Sequence, residues 1–306
     1  MLFKWLILVF AFCGGNLCAD LVDHLKKIED KSSLHQMRNI DFIYTINLDQ
    51  RPEKFAFCNK QLNPYGIYPY RFSAVNGWEL SLETVNDIGV KFEPWMDSGK
   101  MATSFPPEKN GKPDHELAQV NGKTYFSHLM TFGAIGIVLS HLSILQDAYD
   151  SGYETIWIME DDIEVIKNPH LISDQIEKLD SLIGAKNWDI LFTDKDTKGS
   201  DGNYVICLSY AWRPNFVPVN AARFASQITV GGEFRKIGAR YGAYSMIVRR
   251  SGIKKMLDFY KQYQVYLPYD LEFTLPNTIQ LYTVTDDIVS TIANALSDNS
   301  APNYKK

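Results

Sequence analysis

Residues 155–162, reading Thr-Ile-Trp-Ile-Met-Glu-Asp-Asp, constrain this chain more than any other stretch. Five residues suited to a buried strand run straight into three carboxylates, with no polar turn between them. A strand that is apolar on both faces belongs inside a sheet covered by helices. Open α/β sheets bind ligands beyond the carboxyl ends of their strands, so Glu160, Asp161 and Asp162 are expected at a rim where such folds do chemistry. Three adjacent acids repel one another and need a cation, a helix N-terminus or full solvation. Two readings stay open on this stretch alone. One is a metal site, since clustered and perturbed acids mark functional positions. The other is a solvated acidic turn that favours the next helix N-terminus.

The rest of the chain alternates strand and helix signals. Residues 42–48 are β-branched and aromatic, a strand pattern. Pro52 suits a first helical position, and the helix it starts runs to about Leu62 before Pro64 and Gly66 stop it. A second strand is expected at 68–75, and a long helix at 133–149 with Ile137, Leu139, Leu142, Ile144 and Leu145 buried. Leu171, Ile172, Ile176, Leu179 and Leu182 mark another helix. Strands are expected at 188–193, 204–208, 243–248 and 282–284, with a helix from a Ser251 cap to about Tyr263. This order predicts one α/β domain over residues 40–290. It is preceded by a helical lead-in at 20–39, spaced by Leu21, Leu25 and Ile28, and followed by a polar C-terminal tail at 291–306. Residues 93–123 read as a long loop, and 212–240 carry no clear pattern.

Composition narrows the class. A chain of 306 residues with 45% hydrophobic and 22% charged residues is ordinary for a globular protein of one or two domains. A net charge of −5 without basic runs excludes a broad nucleic-acid surface. Residues 1–19 carry a basic start, a short apolar core from Trp5 to Phe12 and a Gly14-Gly15 break, the pattern of a secretory signal peptide. Leu17 is poor at the minus-three position, so a short uncleaved N-terminal anchor is the alternative. The chain is therefore expected to be exported (periplasmic, secreted or in a secretory lumen) or associated with the membrane through this segment. Beyond it, Cys58 and Cys207 are too far apart for a disulfide framework and lack metal-ligand spacing. They could pair in an oxidising compartment, but buried free thiols are expected.

The motifs in order resemble glycosyltransferase family 25, which includes bacterial lipooligosaccharide galactosyltransferases and collagen galactosyltransferases. The matching pieces are Ile46-Asn47-Leu48-Asp49-Gln50-Arg51-Pro52-Glu53-Lys54, Phe72-Ser73-Ala74-Val75-Asn76-Gly77 and the Gly133–Ser140-His141 run. They continue through Ile158-Met159-Glu160-Asp161-Asp162, Trp188-Asp189-Ile190-Leu191, Gly242-Ala243-Tyr244-Ser245 and Leu267-Pro268-Tyr269-Asp270. The resemblance implies a GT-A type, Rossmann-like nucleotide-sugar-binding mixed sheet flanked by helices. It further implies a divalent metal, Mn²⁺ or Mg²⁺, and inverting transfer of a hexose, galactose by family habit, from a UDP-sugar. The acceptor would be a glycan, a glycolipid such as lipooligosaccharide, or a protein. In the family's acidic motif the first and third positions hold the metal, here Glu160 and Asp162, which leaves Asp161 for the ribose or a basic residue.

The physical chemistry agrees. Hard cations choose carboxylate oxygens, and a divalent ion on the leaving diphosphate stabilises the charge that develops there. Asn47 and Arg51 lie at the end of the first strand, where nucleotides bind in such sheets; Arg51 is otherwise a surface cation. His141 on a helix is a packing residue by default, and family placement near the donor sugar makes Ser140 and His141 hydrogen-bonding groups rather than acids. An inverting transfer needs a general base. Asp270, in an aromatic segment suited to sugar rings, is the first candidate and Glu272 the alternate, against a helix N-cap and core packing as the plain readings. Asp194 and Asp196 form a second acid pair, either a further metal or acceptor wall or a solvated loop. The leader argues for a competing hypothesis: an exported carbohydrate-binding or effector-type protein with this fold and no turnover. A phosphohydrolase using the same acids lacks a nucleophile motif.

Overall fold

A computed structural model describes residues 21–305. Its frame is an eight-stranded mixed sheet. The strands are β1 (Phe42–Asn47), β2 (Tyr70–Ser73), β3 (Thr155–Glu160), β4 (Ile190–Phe192), β5 (Gln227–Val230), β6 (Phe234–Ile237), β7 (Ser245–Arg249) and β8 (Leu281–Val284). The spatial order is β5-β6-β8-β4-β7-β3-β1-β2. β1 runs parallel to both β2 and β3, whereas β7 is antiparallel to β3 and β4. The carboxyl ends of β1 and β3 therefore meet the amino end of β7 along one edge. In register, Ile46 pairs with Glu160 and Ser245 with Met159.

Helices cover both faces, as the doubly apolar β3 requires. Side chains alternate across a strand, so Ile156 and Ile158 enter one core with α3 (Phe132–Asp150) and α5 (Arg250–Tyr263). Trp157 and Met159 enter the other with α1 (Pro52–Leu62) and α4 (Leu171–Ile183). Thr131 caps α3 by accepting from the Ala134 amide. Among the described residues α3 is the one helix long and apolar enough to cross a membrane; its burial in the core accounts for that composition. A Cβ on Gly136 would lie 2.5 Å from the Val75 carbonyl oxygen, so only glycine lets α3 lie directly on the loop after β2. Ser140 locks the contact, accepting from the Val75 amide at 2.8 Å and donating to the Gly136 carbonyl at 2.7 Å.

Several expectations are corrected. The 20–39 lead-in is two short 3₁₀ turns, Leu21–His24 and Ser33–His35, not one α-helix. Tertiary bonds replace helical ones there, as where the Lys26 amide donates to Ser143. Residues 93–123 carry two strands, Met101–Ser104 and Asp114–Leu117, of a four-stranded antiparallel sheet in the order Val90–Lys91, Thr124–Ser127, Met101–Ser104, Asp114–Leu117. It follows α2 (Leu82–Ile88). The patternless 212–240 region supplies β5 and β6. The strand expected at 204–208 is only Tyr204–Val205, paired with Thr197–Lys198 outside the main sheet. Ser251 does not cap α5; Arg249 holds that position, and the Ser251 hydroxyl donates to Asp189. Cys58 and Cys207 are buried free thiols. The leader expected at 1–19 lies outside the described residues.

Candidate active site

The three acids leave β3 in different directions, and that divergence builds the site. Glu160 shares the face of Ile156 and Ile158 and so turns toward α3, where His141 Nε2 lies 3.3 Å from its Oε1. The His141 ring is fully buried and stacks on Tyr269 at 4.0 Å, a residue of α6 (Tyr269–Glu272). Burial pushes His141 down to about 3, so the imidazole is neutral and its Nε2 shares one hydrogen bond with the Glu160 carboxyl group. Burial, then the nearby Asp161 and Asp270 charges, push Glu160 up to about 7. Because 28% of its side-chain surface faces the open pocket, solvent tempers that shift.

Asp162 is pushed up to about 7 by burial, then by Glu160 and Asp161. Its Oδ1 is buried without a hydrogen-bond partner. Asp161 is raised by burial, against the pull of Lys54 and Asn47. Asn47 Nδ2 donates to it at 2.6 Å, and Lys54 Nζ stands 3.7 Å away.

Two chambers meet at Glu160. The first lies over the ends of β1 and β3 and is lined by Lys54, Trp78, His141, Asp161, Asp162 and Asp298, among others. The second is lined by Gly242, Ala243, Tyr244, Pro268, Tyr269 and Asp270. Ile137, Glu160, Ser297 and Asn299 line both. The second chamber sits beside the first because β7 is antiparallel to β3: the Tyr244 carbonyl, just before β7, accepts from the Glu160 amide. Asp270 Oδ2 accepts from the Gly242 amide at 3.3 Å, and burial raises its carboxyl above the usual range.

The remaining expected residues are placed as follows. Asn47 holds Asp161, the Arg51 carbonyl and Arg71, so it orients the first chamber without lining it. Arg51 is engaged through Nε and Nη2 by the Asp298 carboxylate. Ser140 lines the first chamber, yet its hydroxyl is committed to Val75 and Gly136.

Glu272 is corrected. A helix turns about 100° per residue, so on α6 Glu272 points away from Asp270 and from both chambers. It is fully buried, 2.5 Å from Arg213 Nη1, and accepts from the Tyr266 and Leu267 amides. Asp194 and Asp196 are corrected as well. They are buried and ion-paired with Arg240 and Arg235, so they form neither a solvated loop nor an open metal pair. Tyr244 also donates to Asp194, at 2.5 Å.

Sequence reasoning missed Trp78 and Asp298, and it gave Lys54 no role although Lys54 lay in a quoted motif. The position of Lys54 two residues after Pro52, on the first turn of a helix leaving β1, is a usable signal. Asp298 has none, because its partners on the site side, Arg51 and Trp78, are more than 200 residues away in sequence. Among the described residues no group of three or more His, Cys, Asp or Glu side chains converges as a metal cage.

The profile of glycosyltransferase family 25 (LPS biosynthesis protein) matches residues 40–272. A "Glycosyltransferase 25 family member" of Drosophila melanogaster is 29% identical over 173 residues, 56% of this chain and 23% of that protein. One of Aedes aegypti is 30% identical over 193 residues, 62% of this chain and 26% of that protein. The matched stretch thus spans about a quarter of these relatives' length.

Proposed function

The chain belongs to glycosyltransferase family 25, and from that premise we propose that it is a metal-dependent inverting glycosyltransferase. In this reading a GT-A type sheet binds a UDP-sugar in the first chamber, with galactose as the expected hexose. A glycan, lipooligosaccharide or protein acceptor enters the second. The observation that carries the reading is Glu160, the one acid shared by a chamber of acids and a cation and a chamber holding Asp270.

The chemistry assigned to each residue follows from its surroundings. The acceptor hydroxyl attacks the anomeric carbon as the bond from that carbon to the UDP oxygen breaks, which inverts the centre. The hydroxyl proton goes to the Asp270 carboxylate, whose raised basicity suits it to that task near neutral pH. Neutral His141 fixes the rotamer of Glu160 through its Nε2 hydrogen bond. Lys54 and Arg51 are the cations on the nucleotide side. Tyr244 and Tyr269 offer faces to a sugar ring.

A divalent ion fits the donor set: Asp162 Oδ1 is buried without a partner, and Lys54 offsets only part of the charge on Glu160 and Asp162. Those two carboxylates would hold Mn²⁺ or Mg²⁺, with phosphate and water oxygens completing the shell. Bound there, the ion supplies charge stabilisation to the departing diphosphate.

A panel of UDP-sugars assayed for Mn²⁺-dependent UDP release tests the proposal. Release is expected from one or two donors, and Asp270→Asn is expected to lower kcat by about 10²–10⁴-fold with UDP affinity retained. Nucleotide binding without release from any donor would instead assign the exported carbohydrate-binding reading. We also propose that residues 1–19 direct the chain into an export route or hold it at a membrane. Mass spectrometry of the mature N-terminus is expected to find Asp20 first, or Met1 if the segment is an anchor; cleavage elsewhere contradicts both.

A further inference from the structure

Residues 296–305 fall beyond the family-matched region and yet lie across the site. Asp298, with 6% of its side chain exposed, accepts from Arg51 Nε at 2.7 Å and Nη2 at 3.1 Å, a bidentate pair. Its backbone carbonyl accepts from Trp78 Nε1 at 2.9 Å. The Leu296 carbonyl accepts from Lys54 Nζ at 2.8 Å, and the Asn299 carbonyl from the Thr131 hydroxyl at 2.7 Å. At the far end the Tyr304 hydroxyl accepts from Asn76 at 2.8 Å. A Cβ on Gly133 would lie 2.2 Å from the Asn299 carbonyl oxygen, so the first turn of α3 is shaped to let this segment close.

The oxygen-rich segment therefore occupies the cationic and indole donors on the nucleotide side. With it in place the first chamber holds about 90 Å³, whereas sites for small-molecule ligands span roughly 300–1,000 Å³.

Resting on the donor reading above, we infer that residues 296–305 are a strap standing in for the donor's diphosphate. The Asp298 carboxylate takes the place of a phosphate on Arg51, and nucleotide binding displaces the strap from Arg51, Lys54 and Trp78. Bidentate recognition of carboxylate and phosphate uses the same guanidinium geometry. A closed strap lowers apparent affinity by the fraction of molecules that are open.

The test titrates UDP with Mn²⁺ into the full chain and into Asp298→Asn by calorimetry, with hydrogen exchange followed over 296–305. UDP is expected to bind about tenfold more tightly to Asp298→Asn and to raise exchange of the strap in the wild type. Tyr304→Phe, which loosens the strap from outside the charged cluster, is expected to move affinity the same way. Equal or weaker UDP binding in both variants, or unchanged exchange at UDP saturation, overturns the strap while leaving the donor reading intact. Absence of UDP binding in every form overturns the donor reading and the strap with it.

Discussion

At the scale of single residues, alternation along β3 decides what each acid meets. Glu160 is delivered to α3 and His141, while Asp161 falls to Asn47 and Lys54. The strand and its acidic rim were legible, since an apolar run ending in acids fixes both; the partners His141 and Lys54 were not. The electrostatic cost has a measurable consequence. Glu160 and Asp162 move from ordinary values of 4.5 and 3.8 up to about 7 on folding. Below about pH 4 both states hold these protons. Between about pH 4 and 7 the unfolded chain releases protons that the folded chain still binds, so stability falls as pH rises through that window. Glu160 and Asp162 are predicted to lower the melting temperature of the metal-free protein from about pH 5.5 to 7 and to leave it level above that, with the buried neutral His141 opposing them below 6.5. Glu160→Gln/Asp162→Asn is expected to flatten the profile, as is saturation with Mn²⁺ and UDP. Identical slopes for wild type and the double variant in a thermal scan would contradict the assignment.

At the scale of elements, α6 shows where sequence reasoning stops. Asp270 and Glu272 looked like interchangeable candidates, but residues two apart on a helix point about 200° from each other and cannot both face one pocket. Glu272 instead ties α6 inward to Arg213, which also lies over the Phe259 ring at 5.2 Å. Removing one partner of a buried pair leaves the other uncompensated, so Arg213→Met is predicted to destabilise by about 3–5 kcal/mol. Arg213→Met/Glu272→Leu is expected to recover much of that loss in urea denaturation. A single variant as stable as wild type would show the pair to be incidental. The long helices and central strands were readable because their periodicity is local. The 93–123 sheet and β5–β6 were not, since strands of two to four residues gain order only from partners that the sequence does not point to.

At the scale of the whole molecule, the site gathers β1, α3, the β3 rim, the turn before β7, α6 and the C-terminal strap. The order of motifs made the family legible, and most of them sit at ends of elements that the topology brings to one edge; the Trp188-Asp189 motif lies at the opposite edge, where the Asp189 carbonyl accepts from the Arg249 amide. The strap was not legible. Polar composition at 291–306 predicts a solvated tail, whereas the Asp298–Arg51 pair is set by a fold that no local pattern encodes. Fold and rim chemistry are thus written locally, and access to the site is written in long-range contacts. The central claim, that Glu160 and Asp162 hold a divalent ion for a UDP-sugar, is met most directly by one measurement. UDP release from UDP-galactose is followed against Mn²⁺ concentration for the full chain and for Glu160→Ala/Asp162→Ala. The predicted result is Mn²⁺-dependent release by the wild type that falls by about 10²–10³-fold in the double variant. Turnover that survives in the double variant, or wild-type release indifferent to Mn²⁺ and to chelator, would contradict it.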